Sequence, residues 1–404
     1  MDDTDLVADI RLSDFNDTLS VFFKTRTLFE IIPDTGKFVM LSDELSLLEA
    51  IQILTLNYQN HGVVWSERQR KYTYLIGLRD ILQMLLEAFE ANHYFRSKVP
   101  ADEPEDLLKA LEDLKITGIE ANNMELAKIK ETLDTVHLYD WIYQRDPNDI
   151  FGSSPSLLNE EKPRRPFLTT LISDKVLDAC IKMKHCKTNK LVVYDSPGGD
   201  VVGIISLSMI LDYIVKYYHG EEAFFNRSID ELELEEKFST GLVTAPSNAP
   251  VYQILKLLQR NNIWAVCIVE PETGKFQYLF NLSDLKLLIN SGWIFRPFGA
   301  VSQFMESVEQ SDPMIRLPKS VGYNKHDSLK AIVEKIIVSH DQKLVRLENS
   351  EIQSMVTLES IFDFFTCHVE EQQEEESSRS FDGGEESKKT LRTRVARSAD
   401  GTGQ

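Results

Sequence analysis

Cysteine is scarce in this sequence. The four cysteines among 404 residues, Cys180, Cys186, Cys267 and Cys367, are irregularly spaced and do not describe a disulfide framework. Two fall in predicted core elements, so a reducing intracellular location is expected, cytoplasmic with the nucleus as an alternative. His185 next to Cys186 has no second close pair to complete a metal site, so no metal is expected. No apolar run approaches the roughly 20 residues that span a bilayer. The opening MDDTDLV is acidic and lacks the form of a signal peptide. Positive charge is also in deficit: 44 Lys and Arg stand against 64 Asp and Glu, a formal net charge of −20. Such a surface repels nucleic acid and anionic membranes, and neither is expected as a partner. An anionic ligand would need a local basic pocket working against the global field. Catalytic signatures are missing as well. There is no GxSxG, no Walker loop, no HRD or DFG and no HExxH, so an enzyme is not expected.

What is present is a recurring unit. Ala249–Ile289 reads as helix, strand, turn, strand, helix. Val251, Ile254, Leu255 and Leu258 lie at i, i+3, i+4 and i+7, the stripe of a half-buried helix. Ala265–Val269 and Phe276–Phe280 are short strands, separated by a turn in which Gly274 can take positive φ. Ser283 is placed to cap the closing helix, whose face carries Leu285, Leu288 and Ile289. An α-β-β-α unit this small buries little alone and needs a partner of its own kind.

Three more copies follow the same pattern. The first has a strand at Phe38–Leu41, a helix face at Leu47, Leu48, Ile51 and Leu54, strands at Val63–Trp65 and Tyr72–Ile76, and a last helix opened by Asp80. The second starts near Phe167, with Val176, Leu177, Cys180 and Met183 on a helix and strands at Leu191–Tyr194 and Val201–Ile205. Its Pro197-Gly-Gly-Asp200 joins two strands, so it reads as a hairpin turn and not as a phosphate loop. The fourth has Leu329, Ile332, Ile336 and Ile337 on a helix, then strands at Leu344–Leu347 and Ile352–Val356. The fold class is therefore α/β, with four α-β-β-α repeats paired into two tandem modules. The expected division is a loose N-terminus (1–20), repeats at 21–92, 166–220, 221–292 and 293–368, an acidic insertion at 93–165 and a tail at 369–404. Within the insertion, two amphipathic stretches (Leu107–Leu114 and Leu126–Val136) read as surface helices, or else as a partner-docking arm. His137–Tyr143 is expected to pack back onto the folded body. The tail, rich in Glu and Ser with almost no large apolar residues, is expected to be disordered.

Four such copies resemble tandem CBS repeats. The opening VFFKTRTLFEIIPDTGKFVML, with Phe22, Lys24, Ile32, Pro33 and Lys37, resembles the start of the gamma subunit of AMP-activated protein kinase and its yeast Snf4-like relatives. SIDELEL ahead of APVYQIL is similar to that family's S-L-E-E-L ahead of T-P-V-Y. The resemblance covers about Val21 to Phe365 apart from the insertion. It implies a flat disk of four repeats with a central charged channel. It also implies a non-catalytic regulatory subunit that binds adenine nucleotides (AMP, ADP or ATP) and partners a catalytic alpha and a bridging beta subunit. It implies ribose-binding carboxylates at Asp80 and Asp284, with Met209 and Ser360 at the corresponding places of repeats two and four. It implies phosphate-facing charge at Lys190 and Lys343, and polar neighbours at Asn281 and Ser283. Asn60 stands where the first repeat would carry an Arg, and Glu235-Glu236 near a family Gly-Thr, where a carboxylate repels phosphate. Asp80 and Asp284 can equally complement a helix macrodipole, and the two lysines can equally be solvated. The competing reading is a degenerate CBS scaffold that assembles the kinase without sensing nucleotide.

Overall fold

The structure is a computed structural model, and it describes residues 17–33, 37–92, 123–143, 164–220, 222–238, 242–311, 322–339 and 342–366. Four small sheets carry the four repeats. In the first, β1 (Val39–Ser42) runs parallel to β2 (His61–Ser66), and β2 pairs antiparallel with β3 (Lys71–Gly77). The second repeats this with β4 (Thr169–Leu171), β5 (Lys190–Tyr194) and β6 (Val201–Ser206). The third does so with β7 (Thr244–Pro246), β8 (Ala265–Val269) and β9 (Phe276–Asn281). In the fourth, β10 (Lys343–Glu348) pairs with β11 (Glu351–Thr357), and a parallel bridge from Gly322 to Val345 stands where the others have a first strand. The Pro197–Asp200 segment is a hairpin turn: Gly198 sits at φ 76° and the Asp195 N–H reaches the Asp200 carbonyl. A helix enters and a helix leaves each hairpin.

Local chemistry sets the helix starts. Ser46 caps the Leu47–Leu56 helix, its Oγ accepting from the Glu49 N–H while the Glu49 carboxylate accepts from the Ser46 N–H. The Val251–Arg260 helix buries Val251, Ile254, Leu255 and Leu258, the stripe read from the sequence. Ser283 does not cap the closing helix of repeat three. The chain enters that helix through a short 3-10 turn capped by Asn281, and the Asp284 carboxylate accepts from the Asn281 N–H at 2.7 Å.

The repeats pair twice over. Through their sheets, repeat one meets repeat two (Val63, Val192, Val201) and repeat three meets repeat four (Cys267, Leu279, Val345, Met355). Through their helices, one large core joins repeats one and three, and a second joins two and four. The four units thus close a disk around a central cleft. Burying a Leu, Ile or Phe side chain is worth about 1.5–3 kcal/mol, and the two helical cores hold most of the buried side chains.

The chain crosses between units at the start of every entering helix. Thr27 bridges to Lys175, Ser46 to His137, Ser228 to Ser328 and Pro250 to Ala300. The segment that opens the sequence-defined first repeat, with Leu19, Phe23 and Leu28 buried, therefore packs on repeat two. The segment ahead of repeat three, with Phe224, Phe225, Ile229 and Leu234, likewise packs in the core of repeats two and four.

The second half of the insertion is no surface appendage. The Asn123–Thr135 helix buries Ile129 and Leu133 in the core of repeat one, and the Leu138–Tyr143 helix buries Leu138, Trp141 and Ile142 beside them. Packing of His137–Tyr143 onto the body is as the sequence suggests. The Leu107–Leu114 stretch and the 369–404 tail lie outside the described residues. Among the described residues, no helix is long and apolar enough to cross a membrane, and no group of three His, Cys, Asp or Glu could hold a metal.

Candidate functional site

Register places one pair of residues from each repeat at the inner end of its hairpin. The pairs are His61 with Gly77, Lys190 with Ser206, Ala265 with Asn281, and Lys343 with Thr357. The first member begins the middle strand; the second ends the last strand and caps the following helix. Around these ends lies a cleft of about 1100 Å³, lined from all four repeats.

The cleft is electropositive at its centre. Lys190 and His61 meet there, Nζ to Nδ1 at 2.8 Å. Lys286 approaches from repeat three and donates to Asn60 Oδ1 at 2.6 Å. Burial and the neighbouring Lys286 hold the Lys190 ammonium down to about 8. Burial, with Lys190 and Lys286 adding to it, holds His61 well below its usual range, so its ring is neutral and can accept from the lysine. Lys343 is buried at the same wall. Arg79 lies against the Trp264 face at 3.9 Å and donates to the Asn262 carbonyl, while its buried Nε has no partner. Burial brings Arg79 down to about 10. Charges held against their solvation in this way favour an arriving anion, which supplies the countercharge that solvent cannot.

Comparison with known proteins agrees with this architecture. The CBS domain model matches residues 160–216, the second repeat. The gamma subunit of 5'-AMP-activated protein kinase from Dictyostelium discoideum is 22% identical over 352 residues, 86% of this chain and 52% of that protein. The gamma subunit from Kluyveromyces lactis is 18% identical over 280 residues, 68% of this chain and 70% of its own. The chain thus spans about half the length of the first relative. A Methanocaldococcus jannaschii structure described as an archaeal homologue of g-AMPK superposes with a TM-score of 0.53 at 12% identity, covering 84% of this chain and 100% of that one, which supports the fold. The chain therefore has the fold of tandem CBS modules and is similar, at a distance, to gamma subunits of that kinase.

Within this frame of tandem CBS modules, the sequence-derived site residues separate into two groups. Asp80, Lys190 and Lys343 line the cleft together. Asn281, Ser283 and Asp284 are outside its lining, with Asn281 and Asp284 buried and Ser283 half-buried. Met209 and Ser360 do occupy the places equivalent to the two aspartates, as register requires.

The aspartates are helix caps in this geometry. Asp80 accepts from the Gly77 N–H at 2.8 Å and Asp284 from the Asn281 N–H at 2.7 Å. Where the Asp is missing, the N-cap hydroxyl bonds another N–H of the same turn. Ser206 Oγ accepts from the Met209 N–H, and Thr357 Oγ1 accepts from the Ser360 N–H. Asp80 is further engaged by the Tyr74 hydroxyl at 3.0 Å and by Arg165 Nη2 at 2.7 Å. Burial raises its carboxyl, although these partners pull the other way. Glu235 does not face the cleft: Arg346 and Ser354 neutralise and bind it at repeat four.

Sequence reasoning missed His61, Lys286, Arg79 and Arg165. His61 was legible, since Asn60-His61 stands at the start of β2 as Asn189-Lys190 stands at the start of β5. The expected basic residue had simply been sought one position early, at Asn60.

Proposed function

We propose that this chain is a non-catalytic, gamma-like regulatory subunit of an AMP-activated, SNF1-type protein kinase, assembled with a catalytic alpha and a bridging beta subunit in cytoplasm or nucleus. It senses energy state by taking AMP, ADP or ATP into the central cleft, phosphates toward Lys190, His61 and Lys286. The observation that carries this reading is a pair of lysines, half-buried Lys190 and buried Lys343, lining a cleft built by four repeats in a chain of net charge −20. Evolution toward a generic acidic surface does not place buried cations together, because each costs desolvation free energy without a counterion. The nucleotide acts by binding two states of the kinase complex with different affinity. Calorimetric titration of AMP, ADP and ATP into the purified chain tests it. Binding that weakens roughly tenfold in Lys190→Gln, the size of one charge-assisted hydrogen bond, supports the reading. Binding unchanged in that variant removes it.

A second reading is favoured by one observation: Asp80, the only aspartate of the expected ribose pair that lines the cleft, is closed over by Arg165. Here the repeats are a scaffold that holds the kinase complex together without sensing nucleotide. Intact co-purification with alpha and beta partners, combined with no heat on titration of any of the three nucleotides, would select it.

A further inference from the structure

We propose that the repeat-one end of the cleft is a phosphate subsite built on Arg165, with Asp80 as the residue that positions this arginine and not as a ribose acceptor. Three contacts occupy Asp80. Oδ2 accepts from the Gly77 N–H, and Oδ1 accepts from the Tyr74 hydroxyl and lies 2.7 Å from Arg165 Nη2. Its side chain is only 3% exposed, whereas that of Arg165 is 48% exposed and lines the cleft. A sugar diol would have to displace Arg165 to reach the carboxylate. An anion need displace nothing, because a guanidinium has five N–H donors in a planar fork and Asp80 engages one end of it.

The arginine is held there by its neighbour. Arg164 pairs with Glu87 at 2.7 Å, both side chains 9% exposed, and stacks on Trp141 at 4.4 Å. The Trp141 indole donates to the other Glu87 oxygen at 2.9 Å, and the Arg164 N–H donates to the Ile142 carbonyl. This buried network fixes the backbone one residue before Arg165. It also ties the segment that ends the insertion to the closing helix of repeat one. Arg165 is therefore presented from a rigid mount, the condition under which a guanidinium binds phosphate at low entropic cost.

This inference deepens the nucleotide reading and rests on it only for the organic part of the ligand. The test titrates inorganic pyrophosphate, adenosine and AMP into the full chain, as wild type, Arg165→Gln and Asp80→Asn. Arg165 is half-exposed, so Arg165→Gln is expected to fold, and a thermal melt checks it. The expected result is roughly tenfold weaker pyrophosphate and AMP binding in Arg165→Gln, with adenosine changed less than about twofold. Asp80→Asn is expected to shift the three ligands in the same ranking. Pyrophosphate binding that depends on Arg165 in a chain that binds no nucleotide supports the subsite and ends the nucleotide reading. Arg165→Gln that leaves pyrophosphate unchanged, or that tightens adenosine and AMP, overturns the subsite: Arg165 would then be a cover on a ribose carboxylate. A wild-type chain that binds none of the three probes overturns both.

Discussion

Repeats one and three differ from repeats two and four at the same two positions. At the helix start, the odd repeats carry Asp80 and Asp284, and the even repeats carry Met209 and Ser360. At the strand start, the even repeats carry Lys190 and Lys343, and the odd repeats carry His61 and Ala265. The same division runs through the core, since odd packs on odd and even on even through their helices. Capping bears on the first difference: the aspartates accept from the N–H of the N-cap residue, whereas Ser206 and Thr357 accept from the N–H three residues on, so every helix start keeps a side-chain bond. Holding half-buried Lys190 against a neutral histidine, and Lys343 buried at the same wall, costs stability, and their retention points to a ligand. The difference teaches that an aspartate at a repeat's helix start is weak grounds for a ribose site, while a buried lysine at its strand start is stronger grounds for an anion.

That comparison can be broken in several places. The largest effect is expected where repeat one holds the insertion. Trp141→Ala should lower stability by about 3–5 kcal/mol in denaturant unfolding, because its indole is fully buried and bonded to Glu87. A loss below about 1 kcal/mol would detach the insertion from the core of repeat one. Next, Glu87→Ala should cost about 3–5 kcal/mol by leaving Arg164 charged without its partner, and should also weaken anion binding through Arg165. Stability loss without any affinity loss would separate the mount from the subsite.

Smaller effects address the caps. Asp284→Ala should cost roughly 0.5–2 kcal/mol, and Thr357→Ala a similar amount, with AMP affinity nearly constant in both. If Asp284→Ala abolishes AMP binding instead, the carboxylate serves a ligand in addition to its helix, and the odd-repeat side of the comparison fails. The pH effect is smaller still at neutrality. Lys190 is charged below about 8 and neutral above it, so anion affinity should be full at pH 7 and fall as pH rises through 8 to 9. Deprotonation removes the positive charge that attracts phosphate, which gives the sign. Affinity flat from pH 7 to pH 9.5 would exclude Lys190 as a phosphate contact.

The sequence made the repeats readable because each hairpin is short, apolar and bounded by turn residues such as Gly198 and Gly274. Buried stripes such as Val251, Ile254, Leu255 and Leu258 follow helical spacing whatever they pack against. Lys190 and Lys343 were reached only through the family resemblance, and each begins the first strand of its hairpin. Partner choice was not legible. Nothing in VFFKTRTLFE says that Leu28 will lie on repeat two, since an apolar face does not encode which neighbour covers it. Arg165 was hidden because the contact to Asp80 spans the insertion, and ion pairs that distant in sequence leave no periodic trace. The burial of Asn281 and Asp284 was hidden too, because cap and ligand contact call for the same residue type.

The central claim is that the even-repeat lysine wall binds phosphate in the shared cleft. Calorimetric titration of AMP at pH 7 into the wild-type chain and into Lys190→Gln tests it most directly. The account expects saturable binding to the wild type and roughly tenfold weaker binding to the variant. Equal affinity in the two proteins would contradict it.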